Sequence, residues 1–254
     1  MEGKKNKAEM KRIVSLLLLL TIMPVAKPQE PENYRKLLYD SYVRGEMREW
    51  EQIISDMEKE YGNTEKKELL YELCFAYYGY IGFLLSMEED KAAKKLLDEA
   101  MEKTKVLEES TDERPDVLAL RGAMLGYRIV LSKFTSMFLG PKASKYIKTA
   151  YESGENCFNC YTEMGNMKFY TPGFLGGSKT EAVPYYEEAV DILESSRLKT
   201  DRDWIYMNTV LLLANAYKET GQKQRACELY RSMLEYEPKA VWIRKDLYAK
   251  CKEP

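Results

Sequence analysis

Two short stretches carry residue types at spacings from which chemistry could be built. The first is Cys157-Phe158-Asn159-Cys160, which has the separation of a thiol redox pair. A catalytic pair of that kind sits at a helix N-terminus on a βαβ scaffold, where the helix end lowers the thiol pKa. A helix start fits the residues here, but no strand pattern surrounds it. Unreactive thiols or a local Cys157–Cys160 disulfide, formed in an oxidising compartment, are therefore expected. Zinc would need two further ligands from Cys74, Cys227 and Cys251, and these form no second close pair. The second stretch, Gly173 to Thr180, falls just short of a phosphate-binding loop. Such a loop needs glycine directly before its lysine and a strand before it, whereas Ser178 precedes Lys179 and the preceding pattern is helical. Ser178 with Glu181 instead reads as the capping box of a new helix.

Histidine is absent, which removes the commonest general base and the commonest metal ligand together. No serine nucleophile motif is visible, and the many Asp and Glu side chains suit the solvated faces of helices. These observations point away from an enzyme, and no metal or cofactor is expected.

The elements that would position such residues are helices throughout. Apolar residues make up 45% of the 254-residue chain and charged residues 31%, a globular balance. Helical spacing runs from Tyr34 to Arg44, from Trp50 to Tyr61, from Thr64 to Ser86 and from Lys91 to Thr104. Pro115 opens a helix expected to reach Phe138, with Gly140-Pro141 as its break and Lys142 to Tyr151 as the next helix. Further helices are expected at 157–170, 180–196, 202–219, 223–236 and 240–250.

The chain begins with a basic head, Lys4 to Arg12, and an apolar run from Ile13 to about Ala26. That run is about 14 residues against the roughly 20 a spanning helix needs. Residues 1–26 therefore read as a secretory signal, with Met1 or Met10 as the start and Pro24 a poor fit to the cleavage pattern. A periplasmic or secreted protein is expected, without a membrane span in the mature chain. No Cys lies between the apolar run and Cys74, which speaks against a lipoprotein. Removing residues 1–26 leaves a chain more acidic than the −2 of the whole, and no long basic run follows, so nucleic acid is not an expected partner.

Residues 207–240 contain Val210, Leu213-Ala214, Tyr217, Gly221, Ala226, Tyr230, Met233 and Pro238. This unit resembles the tetratricopeptide repeat, with Met233 where a small residue is usual. Small residues at 214 and 226 let two helices approach, and Tyr217 and Tyr230 fill the space beside them. Tyr161, Met164-Gly165, Ala182, Tyr186 and Ala189 form a looser copy over 157–195. Ala143, Ile147 and Ala150, then Ala93, Leu97 and Ala100, match only second halves. Their spacing exceeds the roughly 34-residue family period. The segment from Phe169 to Gly177 also resembles exported bacterial repeat proteins that carry an aromatic, Pro and Gly-Gly insertion within one hairpin. A related arrangement occurs in the periplasmic helical component of some solute transporters.

The resemblance implies an all-α, right-handed superhelix of antiparallel helix pairs over 27–254, with 240–252 as a capping helix. It implies a non-catalytic scaffold that binds a protein or peptide segment in its concave groove. By family register Asn166 and Asn215 face that groove, with Thr162, Asn208, Leu211 and Lys218 one turn away. The lysine that some members place against a C-terminal carboxylate is missing, since Thr162 and Leu211 stand there. The alternative is solute capture beside an envelope transporter, with Tyr170 and Phe174 shaping a pocket.

Overall fold

The computed structural model describes residues 31–112 and 114–251. The signal segment 1–26 and the choice of start lie outside the described residues.

Five helical hairpins follow one another: α1 (Pro31–Arg44) with α2 (Glu49–Thr64), α3 (Lys67–Ser86) with α4 (Asp90–Glu109), and α5 (Pro115–Leu131) with α6 (Ser136–Ser153). Next come α7 (Phe158–Tyr170) with α8 (Lys179–Glu194), and α9 (Trp204–Glu219) with α10 (Lys223–Tyr236). No strand occurs among the described residues, and the architecture is an all-α solenoid. The caps follow from local side chains. Ser178 Oγ accepts the Glu181 backbone N–H at 3.2 Å, so the capping serine does start α8. Asp203 accepts the Ile205 N–H at 2.9 Å and starts α9.

Within each later hairpin, small residues set the separation of the helices. Ala93, Ala100, Ala143, Ala150, Ala182, Ala189 and Ala226 are all buried. A Cβ added at Gly165 would lie 2.7 Å from the Tyr186 ring, and one at Gly122 would lie 2.5 Å from Ile147 Cγ1. No real side chain is accommodated at such distances, so these two glycines are contact points between paired helices. Gly122 is the small residue missing from the sequence match in the α5–α6 pair.

Two expectations are corrected. The chain breaks after Leu131, through the single turn Lys133–Thr135, and α6 runs on through Pro141. Proline is tolerated there because the carbonyl it orphans, that of Met137, belongs to an exposed residue of the first turn and can bond water. The expected capping helix 240–252 is a π-turn, Ile243–Leu247, followed by a 3-10 turn, Tyr248–Cys251. A disulfide from Cys227 to Cys251 ties that segment to α10.

The first hairpin returns onto the last. The Tyr39 hydroxyl donates to Glu237 Oε2 at 2.9 Å, and Trp242 Nε1 donates to the Tyr42 carbonyl at 3.1 Å. Trp50 meets Trp204 edge-on, with ring centroids 5.0 Å apart, and both indoles press on Gly79 of α3. Helix α3 is consequently buried nearly all round. It is long and apolar enough to cross a membrane, but most of its apolar window lies inside this fold.

Candidate functional site

The first helix of each hairpin should line the concave face, and the structure allows that face to be followed from one end to the other. At the N-terminal halves of three of these helices the side chains meet. Phe75 of α3, Phe158 and Thr162 of α7, and Trp204 and Asn208 of α9 converge on a gap of about 10 Å³, room for about one water molecule. Phe75 and Phe158 pack with ring centroids 6.4 Å apart. Thr162 is buried, and its hydroxyl donates to the Phe158 carbonyl at 2.9 Å. Beside this gap Trp204 packs against Trp50 and Tyr42 of the returning first hairpin.

One turn further along, Asn166 is committed to the interior. Its Nδ2 donates to Glu163 Oε1 at 3.1 Å and to the Tyr78 hydroxyl oxygen at 3.3 Å. Its Oδ1 accepts from the Tyr186 hydroxyl at 2.8 Å. Tyr127 stacks on Tyr78 and donates to the Tyr78 carbonyl at 3.2 Å. The centre of the cluster is Glu163, only 3% exposed, with no cation among its hydrogen-bond partners. Loss of water pushes its carboxyl up to about 7, against the opposing donation from Tyr78 and Asn166. Sequence reasoning missed Glu163, which looks there like any helical glutamate. Its one clue is a position one helical turn before Asn166.

The cysteine motif is a disulfide at the start of α7, with Cys157 half-buried. Cys157 and Cys160 are joined, and Cys160 is 0% exposed. Gly154 lies so close beneath the bridge that an added Cβ would sit 2.8 Å from Cys160 Sγ. The bridge fixes the turn from α6 into α7, and Asn159 Nδ2 then donates to the Asp116 carbonyl of α5 at 3.0 Å. Cys74 is a free thiol buried in α3, and burial raises its pKa well above the ordinary value. Among the described residues no group of three or more His, Cys, Asp or Glu could hold a metal ion.

The opposite, C-terminal ends of the same helices are open. Lys218 is exposed, while Asn215 and Leu211 are half-buried. Tyr170 ends α7 and stands exposed beside the loop Pro172 to Gly177, in which Phe174 is 88% exposed and Leu175 is also exposed. In the neighbouring hairpin Phe134 is 96% exposed and Phe138 78%, with Val130 and Met137 beside them. These loops are successive first-to-second-helix turns and so share one edge of the solenoid. Lys179 of α8 bonds Glu219 of α9 at 2.7 Å along that edge, which joins the last two tips. The structure thus divides the expected site residues. Thr162, Asn166 and Asn208 lie toward the closed axis, and Tyr170, Asn215 and Lys218 lie toward the open rim.

No protein-family model matches the chain, and neither does any curated protein sequence. Solved structures do. A thermophilic TPR protein of Thermus thermophilus is similar with a TM-score of 0.58 and 16% identity, over 87% of this chain and 97% of that one. The haemophore HusA of Porphyromonas gingivalis is similar with a TM-score of 0.57 and 16% identity, over 76% of this chain and 97% of that one. At such identity the likeness is one of fold. The chain has the tetratricopeptide-type helical fold.

Proposed function

We propose that this tetratricopeptide-type solenoid is an exported, non-catalytic binding scaffold that engages its partner at the open rim rather than along the axis. One observation carries this: large apolar side chains stand exposed at two neighbouring tips, while Phe75, Phe158 and Trp204 leave a gap of only about 10 Å³ between α3, α7 and α9. Folded proteins rarely leave such side chains clustered in water unless something binds them. Export is supported by the basic-then-apolar start of the chain and by two disulfides, which persist in oxidising compartments. A non-catalytic role is supported by the absence of histidine and by the all-helical surroundings of the Cys157–Cys160 bridge, which lack the βαβ scaffold of a thiol redox site. Asn215 and Lys218 continue the same rim along α9 and would add polar contacts to a protein segment lying there.

Affinity capture from the native cell envelope tests the proposal. A partner held by the wild type and by Asn215→Ala/Lys218→Ala, but lost from Phe134→Ser/Phe174→Ser, supports binding at the tips. A partner lost only from Asn215→Ala/Lys218→Ala would place the site on α9 rather than at the phenylalanine tips.

A second reading is favoured by Tyr170, Phe174 and Leu175, three exposed apolar groups within one insertion, and by the fold shared with a haemophore. A planar apolar solute would lie against these side chains. Titration with haemin, followed by its absorption spectrum, checks this; an unshifted spectrum at micromolar protein removes it.

A further inference from the structure

The two tips differ from the rest of the surface in charge as well as in polarity. The chain holds 41 acidic residues in 254, yet none lies between Val117 and Tyr151, nor between Met164 and Thr180. The first of these runs contains almost all of the α5–α6 hairpin. Lys142, Lys145 and Lys148 are exposed there and have no ion-pair partner among the described residues. The second run contains Lys168 and Lys179, which pair with Glu181 and Glu219. An acidic protein has thus kept acids out of the hairpin that exposes Phe134 and Phe138, whereas beside the Phe174 loop Glu181 and Glu219 neutralise the two lysines.

Resting on the reading that the rim is the binding surface, we infer that its partner is an anionic lipid surface, with Phe134, Phe138 and Phe174 entering the interface and Lys142 and Lys145 meeting headgroup phosphates. The geometry of α6 fits this occupant. Phe138 lies in its first turn, and Lys142 follows one turn later, about 6 Å along the axis at 1.5 Å per residue. Interfacial side chains reach about 5–10 Å into the headgroup and acyl boundary, so lysines at that height lie at the phosphates when the phenyl rings are immersed. Each basic residue near an anionic surface adds attraction that salt screens, and the lack of Asp and Glu from 117 to 151 keeps repulsion low at the α5–α6 tip. The tips protrude and are almost wholly exposed. Protruding aromatic groups enter a fluid interface without needing a complementary pocket.

The test is sedimentation of the chain from Lys27, which contains every described element, with large vesicles. One set is phosphatidylcholine alone; the other includes phosphatidylglycerol as the minority lipid. Partition into the anionic vesicles should exceed that into neutral ones by about tenfold or more, and should fall as salt rises. Phe134→Ser/Phe138→Ser/Phe174→Ser should lose about tenfold, as should Lys142→Glu/Lys145→Glu/Lys148→Glu, each with an unchanged helical spectrum. Equal binding to both vesicles, variants that bind like the wild type, or no sedimentation would overturn the lipid assignment. If the vesicles are not bound but the phenylalanine variant still loses an envelope protein in capture, the rim stands and only the lipid is wrong. If the variant loses neither, both readings fail.

Discussion

The two ends of the same helices have opposite surfaces. Toward the N-termini of α3, α7 and α9, Phe75, Phe158 and Trp204 are turned inward, and at mid-helix Glu163, Asn166 and Tyr78 bond one another and Tyr186 of α8. At the C-terminal ends the chain exposes Phe134, Phe138, Tyr170 and Phe174 to solvent. The difference shows that a groove expected from a repeat register exists only if nothing else fills it. Here the first hairpin folds back onto the last, and the amide that could have read a peptide is consumed by its neighbours. The large exposed apolar side chains are left to the turns, where they pack little against the core.

That contrast can be broken at either end. The largest effect is expected from Trp204→Ala, because the indole is buried against Trp50 and Tyr42 where the first and last hairpins meet. Urea unfolding should show a loss of about 4 kcal/mol. A loss below about 1 kcal/mol would mean the two hairpins do not depend on each other.

Next is Cys227→Ser/Cys251→Ser. Opening a loop of sequence separation 24 should lower stability by about 3 kcal/mol on the chain-entropy account. The far-ultraviolet spectrum should change little, since the bridge ties only the short terminal turns to α10.

Third, Glu163→Gln should stabilise the protein at alkaline pH. The folded carboxyl keeps its proton up to about pH 7, whereas a free glutamate titrates at 4.5. Between those values the folded chain holds a proton that the unfolded chain has released. The contribution to stability is therefore full below about pH 4.5 and is lost as the pH rises through 7. The glutamine variant should gain about 2–3 kcal/mol at pH 8 and flatten the fall in Tm between about pH 5 and 8. Asp203, raised to about 6 chiefly by burial, should leave a weaker slope of the same sign. An unchanged slope would show that water reaches the axis.

The smallest effect sharpens the comparison most. Phe134→Ser and Phe174→Ser should each change stability by less than about 0.5 kcal/mol, because neither side chain packs against the core. A larger loss in either would mean that the rim is part of the fold.

The helix pattern is legible in the sequence wherever the two helices of a pair are joined by a short turn. Ala214 and Ala226 lie close enough for a repeat to be recognised in α9 and α10. Gly122 performs the same role against Ala143, yet the long turn through Lys133–Thr135 separates them and hides the match. Pro141 does not break its helix, because the cost of proline depends on whether the lost carbonyl partner faces water, and residue type alone does not say so. The packing of the first hairpin against the last has no local signature. It rests on pairs such as Tyr39 with Glu237 and Tyr42 with Trp242, about two hundred positions apart. Of the expected site residues, Tyr170 and Lys218 are exposed, Thr162 is buried, and Asn166 is half-buried with its amide bonded to Glu163, Tyr78 and Tyr186. No pattern in α7 alone separates the two groups, since α3 decides which of them is covered.

The return of the first hairpin onto the last has a kinetic consequence. An open repeat array can nucleate anywhere, grow by neighbours and fray from its ends. Here the terminal hairpins secure each other, so neither end is free to open while the middle stays formed. Amide hydrogens in α1 and α9 should exchange at a common, global rate. Refolding should be slower than that of helical proteins held by local contacts alone, because the last contacts join the most distant parts of the chain.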